Sequence, residues 1–182
     1  MTPYDKKDYL YTSLFCEENV WHLANKLIGQ GMPADSLRVL FLSNKNKTIA
    51  LFNQQAAEEN KAVIWDYHVV LQLRFDNEEY IFDFDSRLPF PSLFDEYFFN
   101  TLPSPTNTPD DLKTAIRTIP AESYLKYFYS DRSHMKDIIS DNEYPDYPII
   151  KPDVKNIAIS LFDYWDMEKE LDDGSVVCSS LD

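Results

Sequence analysis

The chain has 182 residues and a formal net charge of −14, from 31 acidic and 17 basic side chains. This length is typical of one domain, and we predict a single domain over residues 1–182. The negative charge would repel the phosphates of nucleic acids and of anionic membranes, so neither is an expected partner. Only three glycines occur, which argues against a glycine-rich phosphate-binding loop. A cationic ligand, such as a free protein amino terminus, would be attracted.

Cysteine and histidine usage indicates the environment of the chain. Two cysteines, Cys16 and Cys178, are too few for a disulfide framework, and residues 1–11 lack the apolar core of a signal peptide. No apolar stretch approaches the roughly 20 residues that span a bilayer. We therefore expect a reducing intracellular setting, most simply the cytoplasm, with the nucleus left open. The spacing of the three histidines and two cysteines matches no metal-binding motif, so no metal is expected.

The first predicted element is a helix that begins near Cys16 and ends before Gly29 and Gly31. Its apolar residues follow helical spacing: Val20, Leu23, Ala24, Leu27 and Ile28. Cys16 would lie in the first turn, where free N–H groups and the helix dipole stabilise a thiolate. A lone cysteine is more often a buried structural residue. Because Glu17 and Glu18 would raise the pKa of the thiol, a catalytic Cys16 requires a cationic neighbour.

The middle of the chain predicts an antiparallel sheet of about four strands. Residues 37–44 and 48–55 are candidates for a hairpin, and residues 62–75 form a long run rich in β-branched side chains. Residues 76–79 predict a turn into the last strand, 80–86. The sheet follows the cysteine-bearing helix directly.

The remainder of the chain predicts helices and irregular segments. Residues 88–102 become helix-like after two prolines, and residues 109–119 and 121–139 are helix candidates. Three prolines prevent regular structure in residues 144–153. The tail from 154 to 182 is acidic and has little pattern. The fold class is therefore α+β.

His68 is the candidate cation beside Cys16, although a lone histidine within a strand is usually a hydrogen-bonded core residue. We take Asp76 to pair with Glu79 across the turn. In this register His68 shares its face with Asp83 and Asp85, and Asp85 lies nearer. An imidazole that is oriented by a carboxylate and faces a cysteine forms a nucleophile–base–orienter arrangement.

Several blocks resemble the protein N-terminal glutamine amidohydrolase family, in that family's order. They are CEENVW, VIWDYHVV, IFDFDS, LPFPSLFDEY and SYLKYFYSDRSHMKD, together with a QQA run at residues 54–56, and the match extends from about Tyr9 to Asp137. The resemblance implies a papain- or transglutaminase-like fold, in which an antiparallel sheet packs against a nucleophile-bearing helix and further helices, and a monomeric chain. It implies Cys16 as nucleophile, His68 as base and Asp83 as orienter, with Asp85 as the alternative that the simple register favours.

The implied activity is hydrolysis of the side-chain amide of an N-terminal glutamine in proteins or peptides. The products are glutamate and ammonia, no cofactor is required, and the expected partners beyond the substrates are later enzymes of the N-end degradation pathway. Action on the first residue alone requires an anchor for its α-ammonium group, and Glu18 and Asp66 are candidates because they lie close in sequence to Cys16 and His68. Two alternatives stay open: another papain-like cysteine hydrolase or acyltransferase, and a non-catalytic acidic interaction module.

Overall fold

The structure is a computed structural model that describes residues 4–104, 106, 108–152 and 158–178. Within those residues the chain forms four α-helices and ten β-strands. The helices are α1 (Cys16–Gly29), α2 (Phe94–Thr101), α3 (Ala121–Tyr127) and α4 (Leu161–Trp165). The strands are β1 (Leu37–Ser43), β2 (Ile49–Leu51), β3 (Val63–Trp65), β4 (His68–Phe75), β5 (Glu78–Phe82), β6 (Ser92–Leu93), β7 (Ala115–Pro120), β8 (Phe128–Tyr129), β9 (Ile159–Ser160) and β10 (Val176–Cys178). None of the helices in these ranges has the length and apolar character needed to cross a bilayer.

The main sheet has six strands in the order β10-β7-β1-β4-β5-β6, and every neighbouring pair is antiparallel. The fold is thus mixed α and β, as predicted. The expected hairpin of residues 37–44 with 48–55 is wrong, because β1 lies between β4 and β7 while β2 pairs with β3 in a separate ribbon. The predicted strand 62–75 is also divided. Its second part, β4, is an inner strand of the main sheet and begins at His68.

Helix α1 packs its apolar stripe against the sheet. Val20, Leu23, Ala24 and Leu27 are buried in the main core cluster, and Ile28 is partly buried against it. Each fully buried leucine contributes about 1.5–3 kcal/mol through the hydrophobic effect. The helix ends at Gly29, and Gly31 follows with φ 98°, a left-handed conformation that glycine adopts readily. The predicted helix is therefore confirmed, with Cys16 as its first residue.

The turn of the β4–β5 hairpin lies one residue earlier in the chain than the sequence pattern predicted. Asp76 and Asn77 form a two-residue turn with φ 56° and 64°, and Phe75 pairs with Glu78 across it. Asn and Asp tolerate such angles, which type I′ hairpin turns require. The expected pairing of Asp76 with Glu79 is therefore wrong by two positions. The observed register carries Asp83 towards the start of β4, where His68 lies.

The second half of the chain departs most from the predicted helices. The acidic helix start at Asp110 continues only as a short 3₁₀ turn, Asp110–Leu112, and residues 115–120 form strand β7 instead of helix. There the β-branched side chains of Ile116 and Ile119 are buried in a strand that has partners on both edges.

The predicted helix 121–139 ends at Tyr127, because the next residues form β8 and Arg132 adopts φ 59°. Residues 144–152 contain no helix or strand, as the prolines predicted. The described part of the tail is more regular than its sequence indicated. It contains β9, α4 and β10, and Ser160 caps α4 by accepting a hydrogen bond from the backbone N–H of Asp163.

Candidate active site

A cavity of about 600 Å³ opens where the first turn of α1 meets the start of β4, and both Cys16 and His68 line it. Trp65 and Trp165 are among its walls. A larger cavity, of about 890 Å³, lies beside β10 and has no cysteine or histidine among its described lining residues. Its one arginine, Arg117, is committed to the backbone carbonyls of residues 164, 166 and 169. The smaller cavity therefore holds the groups with catalytic chemistry.

His68 and Asp83 form a buried pair beneath this cavity. His68 Nε2 lies 3.0 Å from Asp83 Oδ1, and the two residues are 1% and 2% exposed. Asp83 also accepts hydrogen bonds from the Tyr97 hydroxyl (2.8 Å), the Gln54 amide (3.2 Å) and the backbone N–H of Asp85 (2.9 Å). Burial opposes charge on both groups, but their mutual attraction prevails, so the pKa of His68 is raised and the pKa of Asp83 is lowered.

This pairing determines which ring nitrogen of His68 is available. Because Asp83 accepts the proton of Nε2, the neutral ring presents Nδ1 as its acceptor. In the part of the chain that the structure describes, Nδ1 makes no hydrogen bond. Tyr97 and Gln54, which hold Asp83 in place, were not predicted as site residues. Both lie within sequence blocks that carry the family resemblance, the only signal that could have indicated them.

Cys16 is partly buried, and its thiol donates a weak hydrogen bond to Glu17 Oε2 at 3.6 Å. Burial raises the pKa of the Cys16 thiol, and the carboxylates of Glu17 and Asp85 raise it further, while a hydrogen bond with the backbone of Val69 opposes them. The helix start therefore does not make this cysteine a thiolate by itself. Ionisation requires that a proton pass to a base such as His68.

A second imidazole–carboxyl pair, His134 and Glu17, also adjoins Cys16. The side chain of Glu17 is fully buried, its Oε2 accepts a hydrogen bond from the Tyr67 hydroxyl at 3.0 Å, and its Oε1 lies 3.4 Å from His134 Nε2. Neither Glu17 Oε1 nor His134 Nε2 has a hydrogen-bond partner among the described residues. Burial raises the pKa of Glu17 to about 7 and lowers the pKa of His134. The sequence predicted that Glu17 would raise the pKa of the thiol, but it did not indicate a pairing with His134.

Glu18 does not lie where the sequence-based prediction requires an ammonium anchor. It is fully buried, and its two oxygens accept hydrogen bonds from Arg132 Nε (3.0 Å) and Nη2 (2.9 Å). The Ser130 hydroxyl adds a third, at 2.6 Å. Glu18 is not among the residues that line the cavity. Its charge is committed to Arg132, so its proposed role in binding an ammonium group has no support in the geometry.

Two other carboxylates do line the cavity. Asp66 is exposed, and its Oδ1 accepts the backbone N–H of Tyr67 at 3.1 Å. Asp85 is partly buried, and its Oδ1 accepts the Tyr11 hydroxyl at 2.6 Å. Asp66 therefore lines the same cavity as Cys16 and His68, and its role in binding an ammonium group stays a prediction. The structure also brings in Asp85, which the sequence suggested only as an alternative orienter.

His68, Asp83 and Asp85 are also the described residues closest to a metal-binding arrangement. One ligand atom from each lies within 4.8 Å of the others. However, both oxygens of Asp83 already accept hydrogen bonds, one of them from His68 itself. The arrangement therefore fits an imidazole–carboxylate pair better than a cation site.

A cysteine at a helix start and a carboxylate-bound imidazole on the facing strand are groups that thiol-dependent hydrolases use. The family model described as N-terminal glutamine amidase matches residues 11–181. The chain therefore belongs to the N-terminal glutamine amidase family, and the family resemblance of the sequence blocks is confirmed.

Curated relatives agree with this assignment. The chain is 36% identical over 169 residues to the protein N-terminal glutamine amidohydrolase of Homo sapiens. The aligned region covers 92% of this chain and 82% of that protein. It is 37% identical over 171 residues to the protein of the same name from Bos taurus, with coverage of 92% and 82%. The relative from Danio rerio is 38% identical over 148 residues, with coverage of 78% and 72%.

Proposed function

We propose that this protein hydrolyses the side-chain amide of an N-terminal glutamine to glutamate and releases ammonia. Family membership supports the substrate and the reaction. The observation that carries the residue assignment is the His68–Asp83 pair, which adjoins the same cavity as Cys16. The chain acts as a single catalytic domain and as a monomer, with no metal or organic cofactor.

The proposed reaction proceeds in two stages through a thioester. His68 Nδ1 accepts the thiol proton as Cys16 Sγ attacks the carboxamide carbon of the substrate. The protonated imidazole then gives that proton to the departing ammonia, and the C–N bond breaks. In the second stage His68 takes a proton from water, the hydroxide adds to the thioester carbon, and the thiol regains its proton as the C–S bond breaks.

Asp83 and the helix start assist both stages. Asp83 holds His68 Nε2–H, which keeps Nδ1 as the acceptor and stabilises the imidazolium. The backbone N–H of Cys16 has no intrahelical partner, since it belongs to the first turn of α1. We assign it to the negative charge that develops on the carboxamide oxygen.

The proposed site should distinguish an N-terminal glutamine from similar substrates. A site that holds the α-ammonium and the carboxamide together requires a set distance between them, and asparagine is one methylene shorter. Its carbonyl carbon would stop short of the approach of about 3–3.5 Å that reaction requires. An acetylated or internal glutamine lacks the charged amine. The product, an N-terminal glutamate, would be a substrate for later enzymes of an N-end degradation pathway.

The test is mass spectrometry and ammonia release with four peptides that carry Gln, Asn, acetyl-Gln or internal Gln. We expect turnover of the first alone, with a mass increase of about one dalton, and loss of turnover in Cys16→Ala. Cys178→Ala is the matched control, because Cys178 is exposed and distant in sequence from the site. Equal turnover of the acetylated peptide would indicate a general glutaminase, and full activity in Cys16→Ala would disprove the thioester route.

A further inference from the structure

The cavity that contains Cys16 and His68 is suited to a positive charge. Its described lining residues include the carboxylates of Asp66 and Asp85 but no lysine or arginine. Low-dielectric walls such as Trp65 and Trp165 strengthen the field of such groups. A cation that enters the cavity would therefore meet two carboxylates and no lysine or arginine among the described lining residues.

Asp85 is the better placed of the two carboxylates. It is partly buried, whereas Asp66 is exposed. One oxygen of Asp85 accepts the Tyr11 hydroxyl at 2.6 Å, and its other oxygen has no hydrogen-bond partner among the described residues. Asp85 also offers an oxygen within 4.8 Å of ligand atoms of His68 and Asp83. It is therefore an oriented carboxylate with a free oxygen beside the reacting groups.

We propose that Asp85, oriented by Tyr11, binds the α-ammonium group of the first residue of the substrate. This inference rests on the proposed function and names the group that restricts it to the amino terminus. Four bonds of about 1.5 Å separate the α-nitrogen of glutamine from its carboxamide carbon, a span of about 5 Å when extended. Because Asp85 and Cys16 line the same cavity, we expect an ammonium on Asp85 to leave the carboxamide beside Cys16. Asparagine, with three bonds, would fall short.

The groups around Asp85 couple binding of the ammonium to ionisation of the Cys16 thiol. The charged and titratable groups that face it are His68 from β4, Asp83 after β5, Cys16 from α1, and Tyr11 and Lys6 from the amino-terminal segment. The Lys6 ammonium is committed to the carbonyls of Phe84 and Ser86 and makes no salt bridge with Asp85 in the described chain. In the free enzyme the Asp85 charge therefore opposes ionisation of Cys16. A bound ammonium neutralises that charge and makes the thiolate easier to form.

The experiment follows the rate of Cys16 alkylation by iodoacetamide between pH 6 and 9, in a Cys178→Ser background. Glycinamide is the probe, because it carries the α-ammonium but no side chain to turn over, and N-acetylglycinamide is its uncharged control. We expect glycinamide to accelerate alkylation several-fold at pH 7, and acetylglycinamide to have no effect. Asp85→Asn should abolish the acceleration and raise the rate without ligand. Tyr11→Phe, which leaves the carboxylate unoriented, should reduce the acceleration.

The matched control is Asp66→Asn, which removes the other carboxylate of the cavity and should retain the glycinamide response. With Gln-peptides, Asp85→Asn should raise KM about tenfold or more and change kcat less. A glycinamide response that survives in Asp85→Asn but disappears in Asp66→Asn would overturn the assignment. So would the absence of any response in the wild-type chain. A glycinamide response without deamidation would instead refute the proposed reaction and leave the amine site standing.

Discussion

The cavity that contains Cys16 adjoins two imidazole–carboxyl pairs that are alike in composition and opposite in the direction of their pKa shifts. His68 and Asp83 approach to 3.0 Å, and His134 and Glu17 approach to 3.4 Å. Both carboxyl groups are buried. Yet the pKa of Asp83 is lowered, whereas burial raises the pKa of Glu17 to about 7.

The attraction between Asp83 and His68, together with the number of hydrogen-bond donors, explains this difference. Asp83 accepts from His68, Tyr97, Gln54 and the backbone N–H of Asp85, so its charge is stabilised in place of water. Glu17 accepts from the Tyr67 hydroxyl and, weakly, from the thiol, and its second oxygen has no donor in the described chain. Burial alone favours the neutral acid, and directed donors reverse that preference. Of the two pairs, only His68 and Asp83 have surroundings that stabilise their charged forms.

Replacing each histidine in turn tests whether the two pairs have different roles in the reaction. We expect His68→Asn to lower kcat/KM by about 10⁴-fold or more, because the proposed base and acid is lost. His134→Asn should remain within about tenfold of wild type, since burial lowers the pKa of His134 and raises the pKa of its carboxyl partner to about 7, so this pair holds charge less well than His68 and Asp83 do. The measurement is ammonia release from a Gln-peptide, with circular dichroism to confirm folding. A larger loss for His134→Asn would reverse the roles of the two pairs.

The second prediction concerns Asp83. Asp83→Asn keeps the shape but presents an amide to His68, which favours the wrong tautomer, and by analogy with other triads the cost is about 10³–10⁴ in kcat. In contrast, Asp85→Asn should act mainly on KM. Steady-state kinetics of the two variants separate these effects. If Asp85→Asn lowered kcat more than Asp83→Asn did, Asp85 would be the orienter that the simple hairpin register suggested.

The smallest expected effect concerns stability and pH at Glu17. Its pKa is 4.5 in the unfolded reference and about 7 in the folded chain, so the folded state binds the extra proton between these values. The free energy of unfolding should therefore fall as pH rises through this window, by roughly 3–4 kcal/mol at 1.4 kcal/mol per pKa unit. Glu17→Gln lacks this penalty. Urea unfolding should show the variant gaining stability relative to wild type between pH 5 and pH 8.

Glu18→Gln is the matched control for that experiment, because it makes the same change one residue along the helix. Glu18 is paired with Arg132, so its loss leaves a buried guanidinium without its partner and should destabilise the fold by about 3–5 kcal/mol at pH 8. Equal responses of the two variants to pH would show that the donors around Glu17 and Glu18 do not set their charge states.

Features that depend on residues close together in sequence could be predicted from the sequence alone. The apolar spacing after Cys16 predicted α1 and its end, because helical periodicity repeats within one segment. Prolines predicted the irregular stretch before residue 153. The sequence blocks also identified the family and named Cys16, His68 and Asp83 as a set. Their catalytic roles stay predictions, although the structure places His68 and Asp83 in contact.

Strand pairing, hairpin register and the surroundings of buried charges depend on residues far apart in sequence, so they could be known only from the folded structure. A strand pattern reports burial and alternation but not which strand lies alongside, so the β1–β4 and β1–β7 pairs could not be foreseen. The hairpin register depended on the turn that Asp76 and Asn77 adopt. Most clearly, Glu17 and Glu18 are identical neighbours in sequence. One lies beside the thiol with a pKa raised to about 7, and the other is paired with Arg132, because successive helical residues point about 100° apart and meet different parts of the fold.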